Sequence, residues 1–273
     1  MPFRALTHDI RVFQFDNLAR EPGVQHFVST RAGGGSPPPY RSLNLSFHVG
    51  DDPNGVAANR RRLFAAADVP IAQVVACQQV HGAHVAIADD AVAGRGALDF
   101  DSALPATDAV VTATPGICLA ILAADCVPLV AYDPVTHVAG LAHAGWRGTV
   151  RHVGAALLTR MHTNFACDPA NVIVGIGPAI GPDDYEVGPE VIEQVRAAFP
   201  ERWRELIRLL PNGKGHLDLW RANTLELVAA GVPAAQIEVA GISTYRATDT
   251  FFSDRREGPA SGRFAACIQL LTS

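Results

Sequence analysis

Residues 117–149 read ICLAILAADCVPLVAYDPVTHVAGLAHAGWRGT. Within this stretch, the segments 117–124, 127–132 and 138–142 are apolar, partly β-branched runs separated by Gly, Pro and Asp. Together with the shorter apolar run 109–111, they have the length and composition that are typical of buried strands. The stretch therefore predicts a dense region of β-structure in the middle of the chain.

A helix is predicted directly after these strands. Apolar residues recur there at helical spacing, at Val150, Val153, Leu157, Leu158 and Met161. Thr149 stands where it can cap the N-terminus of this helix, so the predicted strand-to-helix junction is HAGWRGT. Other patterns predict a helix over 218–230 and strands over 172–176, 237–242 and 264–271. The chain is therefore predicted to have a mixed α/β fold.

The composition predicts a globular protein that binds a small molecule. Hydrophobic residues make up 48% and charged residues 18% of the 273 residues, which supplies a substantial core and predicts one domain over residues 1–273. The net charge of −5 gives no excess of basic residues, so nucleic acid is not expected as a partner. Lys214 is the one lysine, and anion binding therefore falls to arginines or backbone amides.

The N-terminal sequence and the cysteines predict a cytoplasmic protein with no membrane partner. The first twenty residues lack the regions of a signal peptide, and no apolar run reaches membrane-spanning length. The five cysteines are odd in number and contain no CxxC pair, which argues against a disulfide framework. In a reducing compartment, each cysteine is free to be a buried apolar residue, a metal ligand or a nucleophile.

Three segments carry side chains that suit a transition-metal ion. Asp125 and Cys126 lie between two predicted strands, where a charge is costly to bury unless it is paired. His143 ends the next strand, and His81 and His84 lie in the turn-like segment VHGAHV. One thiolate and two imidazoles suit catalytic zinc, which has three protein ligands and an open fourth position. The spacing leaves open which of the two histidines binds, and a core cysteine with structural histidines is the alternative.

Copper is the alternative metal, since two histidines and one cysteine also describe a blue-copper site. Such sites use a weak axial methionine, and neither Met1 nor Met161 lies near a suitable cysteine. Trinuclear copper clusters are commonly built from His-x-His pairs, and none occurs among the ten histidines. The cytidine-deaminase zinc signature, H-x-E with P-C-x-x-C, is also absent from the sequence. Ordinary multicopper chemistry is therefore disfavoured.

A glycine- and proline-rich loop is a second candidate for ligand binding. It reads GGGSPPP over residues 33–39, and polar groups flank it at Arg31, Asn44, His48 and Asp51. A surface turn is the simpler interpretation, but a glycine hinge beside polar side chains is also typical of a loop that closes over a ligand. Arg31, Asn44 and His48 are therefore candidate residues for binding substrate or phosphate.

Longer segments resemble the YfiH family, long labelled laccase-domain or polyphenol oxidase proteins. The resemblance is carried by QQVHGAHV, TDAVVTATPGICLAILAADCVPLVAYD, HAGWRGT, GPAIGPDDYEVGPEV, HLDLWRANTLELVAAGV and FFSDRREGPASGR. These segments lie within residues 27–271, and the ADC and HAGWRG segments are specific to the family. The chain departs from the family's usual CT at Ser243-Thr244 and from SYRR at Ser253-Asp254-Arg255-Arg256. Ser243 therefore cannot act as a thiolate.

The resemblance implies a fold of two packed β-sheets flanked by helices in α/β/β/α layers, similar to the cytotoxic necrotizing factor deamidases. It implies a zinc site formed by His81, Cys126 and His143, with copper as the alternative ion. It also implies phosphorolysis of adenosine, inosine, guanosine and S-methyl-5′-thioadenosine, with adenosine deaminase activity beside it. The expected partners are a purine nucleoside and phosphate, and the expected assembly is a monomer or a weak homodimer.

Phosphorolysis requires a site for phosphate, and the arginine side chain is suited to that anion. Arg147, beside the predicted helix start, is the leading candidate, with Arg31 and Arg255 behind it. A surface ion pair is the simpler interpretation of Arg147. Deamination requires a carboxylate that moves protons, and Asp125 and Asp108 are the candidates, unless they orient a metal ligand instead.

Three other functions stay open at this point. The first is a copper-dependent polyphenol oxidase, which is the family's older label. The second is a cysteine hydrolase in which Cys126 is the nucleophile and His143 the base. The third is a binding protein without catalytic activity.

Overall fold

The computed structural model describes residues 3–272 and shows a mixed α/β fold. The strands within this range are β1 Phe3–Ala5, β2 Arg11–Phe13, β3 Val24–Ser29, β4 Val74–Ala76, β5 Val85–Ile87, β6 Ala109–Thr112, β7 Cys118–Ala123, β8 Val127–Asp133, β9 Val138–Ala144, β10 Ile173–Ile176, β11 Glu186–Val187, β12 Ile207–Leu209, β13 Gly215–Leu217, β14 Ile237–Val239 and β15 Phe264–Leu270. The α-helices are α1 Pro53–Ala66, α2 Trp146–Val150, α3 Val153–Phe165, α4 Pro189–Ala198, α5 Trp203–Leu206, α6 Leu219–Ala229 and α7 Asp254–Glu257. None of these helices is long and apolar enough to cross a membrane.

Two six-stranded sheets form the body of the protein. The first sheet has the strand order β1-β2-β3-β15-β7-β4, and the second has the order β14-β10-β8-β9-β6-β5. Both sheets are mixed, because β4 and β5 run parallel to their neighbours while the central pairs β15–β7 and β8–β9 are antiparallel. A small third sheet has the order β11-β13-β12.

The two large sheets pack face to face, and residues at alternate positions fill the space between them. In β8, Val130 and Tyr132 belong to the core between the sheets, whereas Leu129 and Ala131 belong to the core on the opposite face. Because both faces of the strand are buried, its sequence shows no polar alternation. The core between the sheets also contains Leu119, Ile121, Leu141, Phe264 and Ile268.

Helices cover the outer faces of both sheets. Leu63 and Phe64 of α1 pack in the core on the outer side of the first sheet. Leu157 and Met161 of α3 pack on the second sheet, where a Cβ at Gly140 would lie 3.0 Å from Leu157 Cδ1. The α/β/β/α layer order that the family resemblance implies is therefore confirmed.

Most of the elements predicted from the sequence are present. The predicted strands correspond to β6, β7, β8, β9, β10, β14 and β15. The helix predicted over 218–230 is α6, and the Asp218 side chain caps it by accepting a hydrogen bond from the Arg221 N–H. The predicted strand 237–242 ends early, at Val239.

The predicted N-cap at Thr149 is wrong. Gly145 is the N-cap of α2, and Thr149 lies inside that helix, where its hydroxyl accepts a hydrogen bond from Asn223 Nδ2 (3.1 Å). His152 then adopts a left-handed backbone conformation, with φ at 58°, and α3 begins after it at Val153. The junction contains two helices rather than one because the backbone turns at His152.

His26 in β3 is a buried titratable group. Its side chain accepts a hydrogen bond from the Phe15 N–H through Nε2 (2.8 Å) and stacks on the Phe15 ring. The residue is 1% exposed, and burial lowers the pKa of His26 to about 4. The folded protein therefore holds the neutral imidazole.

We expect His26 to lower the free energy of unfolding as the pH falls from about 6.5 to about 4. The unfolded chain binds a proton at His26 near pH 6.5, whereas the folded chain binds one only near pH 4. The contribution of the neutral His26 to the free energy of unfolding is therefore complete above pH 6.5 and is lost progressively as the pH falls to about 4. The full loss is roughly 3 kcal/mol. His26→Gln keeps an acceptor for Phe15 without the titration, so urea unfolding of this variant should depend less on pH. An equal pH dependence in both proteins would contradict this assignment.

Candidate metal centre and its cavity

The three predicted metal ligands lie at the ends of strands from both large sheets. Cys126 lies in the short link between β7 of the first sheet and β8 of the second, and His143 lies near the end of β9. The register of β8 and β9 pairs Val127 with Ala144, which brings Cys126 next to the end of β9. His81 lies in the turn that follows β4. The packing of the two sheets therefore brings the three side chains together.

The spacing of the three side chains fits a shared metal ion. Cys126 Sγ lies 3.9 Å from His81 Nε2, and the ring centroids of His81 and His143 are 4.8 Å apart. One ligand atom from each residue lies within 4.8 Å of the other two. In a tetrahedral zinc site with bonds of about 2.0–2.3 Å, the ligand atoms lie about 3.3–3.8 Å apart. The Cys126–His81 distance is close to this range, and the widest separation in the group must contract by about 1 Å. Within residues 3–272, this is the one such group of histidine, cysteine or acidic side chains.

The buried carboxylate of Asp108 holds two of the three ligands. Its Oδ1 lies 2.9 Å from His143 Nδ1 and accepts a hydrogen bond from the His81 N–H (2.9 Å). Its Oδ2 accepts hydrogen bonds from the N–H groups of Val80 (3.1 Å) and Gly82 (2.7 Å). Burial raises the pKa of Asp108, but hydrogen bonds from His143 and Gly82 outweigh burial and lower it. Because Nδ1 of His143 is engaged, Nε2 is the nitrogen left for the cluster.

The cluster contains His81 and not its neighbour His84. His81 has a positive φ of 58°, a conformation that is uncommon outside glycine, and its N–H is held by Asp108. The side chain of His84 is exposed, and its carbonyl accepts hydrogen bonds from the N–H groups of Asp108 (3.3 Å) and Ala109 (3.1 Å). The turn therefore directs His81 towards Cys126.

Cys126 and His143 each shift the pKa of the other. Burial raises the pKa of Cys126, but the charge of His143 and hydrogen bonds from both histidines outweigh burial and lower the pKa to about 6. Burial lowers the pKa of His143, but the charge of Cys126 and the hydrogen bond to Asp108 outweigh it and raise the pKa to about 9. Cys126 therefore favours the thiolate, which is the form that binds metal ions.

A cavity of about 290 Å³ opens onto the three ligands. This volume is close to the lower end of the range for small-molecule sites, about 300–1,000 Å³. The apolar side chains of Leu122 and Trp146 line the cavity, and Arg147, Tyr185 and Arg255 line it as well. The cavity therefore combines an apolar wall with positive charge.

Arg147 and Arg255 carry positive charge that is not neutralised by an ion pair. Arg147 is exposed in α2, and its guanidinium carbon lies 4.4 Å from the centroid of the Trp146 ring. Arg255 in α7 donates a hydrogen bond from Nη1 to the carbonyl of Glu186 (2.8 Å). Neither guanidinium forms an ion pair within residues 3–272. Both groups are therefore available to an anion.

Asp125 connects the Cys126 link to α7 and to two other segments of the chain. Its Oδ1 accepts a hydrogen bond from the Thr244 hydroxyl (2.6 Å), and its Oδ2 accepts one from the Arg255 N–H (2.7 Å). Its carbonyl accepts a hydrogen bond from the Ile180 N–H (3.0 Å). Burial raises the pKa of Asp125, while the hydrogen bonds from Arg255 and Thr244 oppose that rise. Asp125 lines the cavity and fixes the start of α7.

Arg31 and Asn44, two further candidate binding residues, lie outside the cavity. Arg31 forms an ion pair with Glu257 (2.7 Å) and donates a hydrogen bond to the carbonyl of Thr248 (2.6 Å). Asn44 is fully buried, and its Oδ1 accepts a hydrogen bond from the Arg263 N–H (3.0 Å). Both side chains therefore hold neighbouring segments in place through these hydrogen bonds.

The glycine-rich loop at residues 33–39 is fastened to α1 and does not line the cavity. The Gly35 N–H donates a hydrogen bond to Asn59 Oδ1 (2.8 Å). Asn59 Nδ2 donates to the Ser36 hydroxyl (2.9 Å), which in turn donates to Asp51 (2.6 Å). This arrangement does not support the expectation that the loop closes over a ligand.

His48 is the candidate near this loop that does line the cavity. Its Nδ1 lies 3.1 Å from the hydroxyl of Ser46. Burial lowers the pKa of His48, and the charges of Arg263 and Arg60 lower it further. A neutral imidazole suits a hydroxyl or ring nitrogen of a ligand better than it suits a phosphate anion.

Four polar cavity residues had no assigned role in the sequence analysis, namely Gln79, Tyr185, Asp254 and Arg263. Gln79 exchanges two hydrogen bonds with the backbone of Leu122, each 2.8 Å long. Asp254 and Arg263 form an ion pair with a distance of 2.7 Å. All four lie in the segments that carry the family resemblance, which is the signal that sequence offers, but their neighbours become visible only in the fold.

The chain is similar to known proteins over almost its whole length. The family model described as multi-copper polyphenol oxidoreductase laccase matches residues 25–271. A purine nucleoside phosphorylase of Bacteroides thetaiotaomicron is 36% identical, over 97% of this chain and 98% of the relative. The adenosine deaminase RL5 from an unknown prokaryotic organism is 36% identical, over 88% and 92%. The crystal structure of YlmD from Geobacillus stearothermophilus is similar with a TM-score of 0.93 and 36% identity, over 99% of each chain.

Gly145 permits the close approach of the turn between β9 and α2 to two of the ligands. A Cβ at Gly145 would lie 2.7 Å from Cys126 Sγ and 3.1 Å from His81 Cδ2. The φ of Gly145 is −67°, which any residue can adopt. The effect of a side chain at this position is therefore steric.

We expect Gly145→Ala to lower the zinc affinity by about 10-fold or more, the loss typical of disturbed ligand geometry. The added methyl group displaces Cys126 Sγ, and a competition titration with a chromophoric chelator measures the change. Gly55→Ala in α1 is the matched control, since its Cβ would meet no atom nearer than 3.6 Å. Equal affinity in the two variants would contradict the proposed cluster.

Proposed function

Because the chain belongs to the YfiH family, whose family model is described as multi-copper polyphenol oxidoreductase laccase, we propose that it is a zinc-dependent purine nucleoside phosphorylase. The proposed substrates are adenosine, inosine, guanosine and S-methyl-5′-thioadenosine, and deamination of adenosine is the proposed second activity. The observation that carries this proposal is the cluster of His81, Cys126 and His143 in one cavity with two unpaired guanidinium groups. Relatives named purine nucleoside phosphorylase and adenosine deaminase support it.

His81, Cys126 and His143 would hold the zinc ion, because their donor set and spacing fit it. We call these three residues the floor of the cavity. Bound zinc supplies Lewis acidity there. Asp108 positions His143 by its hydrogen bond to Nδ1, as is usual for histidine ligands of metals. Asp108 is fully buried behind the ligands, so we assign it a positioning role rather than contact with substrate.

Arg147 and Arg255 would bind the phosphate. A guanidinium group matches the geometry of a phosphate anion and retains its charge at every physiological pH. Asp125 supports this role, since its carboxylate holds the backbone of Arg255 at the cavity wall. Arg31 is unsuited to it, because its charge is paired with Glu257 away from the cavity.

In phosphorolysis, a phosphate oxygen forms a bond to ribose C1′ while the bond between C1′ and purine N9 breaks. The electron pair of the broken bond stays on the purine, which takes up a proton, and the products are ribose 1-phosphate and free purine. Arg147 and Arg255 orient the anion beside C1′, where positive charge develops. Trp146 and Leu122 offer apolar surface to the purine, and His48 offers a neutral hydrogen-bonding group.

A cysteine hydrolase is a second candidate, favoured by the arrangement of Cys126, His143 and Asp108. The thiol lies beside an imidazole whose other nitrogen is held by a carboxylate, as in cysteine nucleophiles. Alkylation with iodoacetamide separates the two functions. Complete protection of Cys126 by saturating zinc supports the metal site, whereas trapping of Cys126 under that condition supports the hydrolase.

Copper-dependent polyphenol oxidation is a third candidate, favoured by the description of the family model. A multicopper enzyme needs several copper sites, whereas residues 3–272 offer one cluster of three ligands. Metal analysis with a nucleoside screen, run with and without phosphate, distinguishes the functions. One zinc ion per chain with phosphate-dependent base release supports our proposal, and bound copper with phosphate-independent oxidation of phenols contradicts it.

We expect Cys126→Ala to reduce phosphate-dependent release of base from inosine to background and to abolish stoichiometric zinc binding. The substitution removes the one thiolate of the cluster and leaves the sheets unchanged, so far-ultraviolet circular dichroism should match the parent protein. Cys167→Ala is the control, since it removes a cysteine side chain that is buried and lies outside the cavity. Full retained activity in Cys126→Ala would overturn the proposed function.

We expect Arg147→Met to raise the KM for phosphate by about 10-fold or more, because one charge-assisted contact to the anion is lost. The KM for inosine should change little, and initial rates at varied phosphate and varied inosine measure the two constants. Arg160→Met in α3 removes the same charge from a half-buried position outside the cavity and serves as the control. An equal effect of both variants would show that Arg147 acts only through net charge.

A further inference from the structure

Tyr185 is a cavity residue to which the mechanism above gives no role. It directly precedes β11, and its carbonyl accepts a hydrogen bond from the Leu217 N–H of β13 (3.0 Å), so the small third sheet fixes its backbone. Its ring packs against the core of the second sheet and its helices. Its hydroxyl has no hydrogen-bond partner within residues 3–272, and the half-buried side chain lines the cavity. The hydroxyl is therefore available to a ligand in the cavity.

Positive charge lies next to the Tyr185 ring. The guanidinium carbon of Arg255 is 5.1 Å from the ring centroid, and its Nη1 is held there by the carbonyl of Glu186. Arg147 lines the same cavity, and its charge also acts on the phenol. A free hydroxyl beside two unpaired guanidinium groups forms a set of hydrogen-bond donors that suits an anion.

We propose that the Tyr185 hydroxyl donates a hydrogen bond to the attacking phosphate and completes the anion site formed by Arg147 and Arg255. This inference rests on the proposed phosphorylase function. Phosphate oxygens are mainly acceptors at neutral pH, whereas a phenol at that pH keeps its proton and can donate it to a hydrogen bond. Tyr185 is thus a substrate-binding residue that supplies no base.

The direction of the pKa shift agrees with a donor role. Burial raises the pKa of Tyr185, and the charges of Cys126 and Asp125 raise it further, while those of Arg255 and Arg147 oppose the rise. The ring contributes separately, because the face of Tyr185 supports the Arg255 guanidinium through a cation–π contact. Removing the hydroxyl and removing the ring should therefore have different effects.

Steady-state phosphorolysis of inosine by the full-length, metal-loaded enzyme tests the proposal. We expect Tyr185→Phe to raise the KM for phosphate about 10-fold or more, as for a lost hydrogen bond to a charged group, with little change in the KM for inosine. Tyr185→Leu also removes the support of Arg255 and should raise the KM for phosphate further. Calorimetric titration with inorganic phosphate should show the same order of dissociation constants without turnover. Tyr132→Phe is the matched control, because its hydroxyl contacts His137 at the far end of β8.

The possible outcomes separate this inference from the function on which it rests. An unchanged affinity for phosphate in Tyr185→Phe overturns the inference, and so does a change confined to the KM for inosine, which would place the hydroxyl on the nucleoside. Absence of phosphate-dependent base release by the unaltered enzyme overturns the proposed function instead. Unchanged zinc content and melting temperature in Tyr185→Phe are expected and show that the fold is retained.

Discussion

The candidate site depends on one buried carboxylate, that of Asp108. The residue is fully buried, and a carboxylate in such a position is stable only where hydrogen bonds replace the lost water. The donors are the three successive N–H groups of residues 80–82 and the ring of His143. The same four bonds hold the His81 turn in its left-handed conformation and select the nitrogen of His143 that faces Cys126. The positions of His81 and His143 and the conformation of the turn that carries His81 therefore have one cause.

Asp125 has a comparable function on the other side of the cavity. Its carboxylate joins the Cys126 link to Thr244 and to the first turn of α7, which carries Arg255. The two acids that shape the site are buried, whereas Arg147 and Arg255 are exposed. Packing thus fixes the floor of the cavity. The long side chains of Arg147 and Arg255, which form its rim, can adjust their positions to an anion.

The sequence predicts the central strands because burial on both faces leaves room only for apolar side chains. It does not predict the sheet order by itself, since β15 pairs with β3 and β7, which are distant in the chain. The same distinction applies to the site. Cys126 and His143 lie at the open end of the hairpin formed by β8 and β9, which are neighbours in the chain. The partners of Arg31 and Asn44, Glu257 and Arg263, are instead 226 and 219 residues away. When the hydrogen-bond partner of a polar residue is distant in the chain, the sequence does not show that the residue has a partner.

Relatives of this chain are named for two activities, purine nucleoside phosphorylase and adenosine deaminase. The two activities need different parts of the cavity, because the floor and the rim are built from different elements. On the proposed function, both reactions use the cluster at the floor, where His81, Cys126 and His143 are set by the two sheets. Only phosphorolysis also needs an anion site, and that site is built from α2, α7 and the residue before β11. Because these elements lie outside the large sheets, substitutions at the rim can change the use of phosphate without disturbing the metal ligands. A common fold can therefore support both reactions, with their balance set by a few exposed side chains.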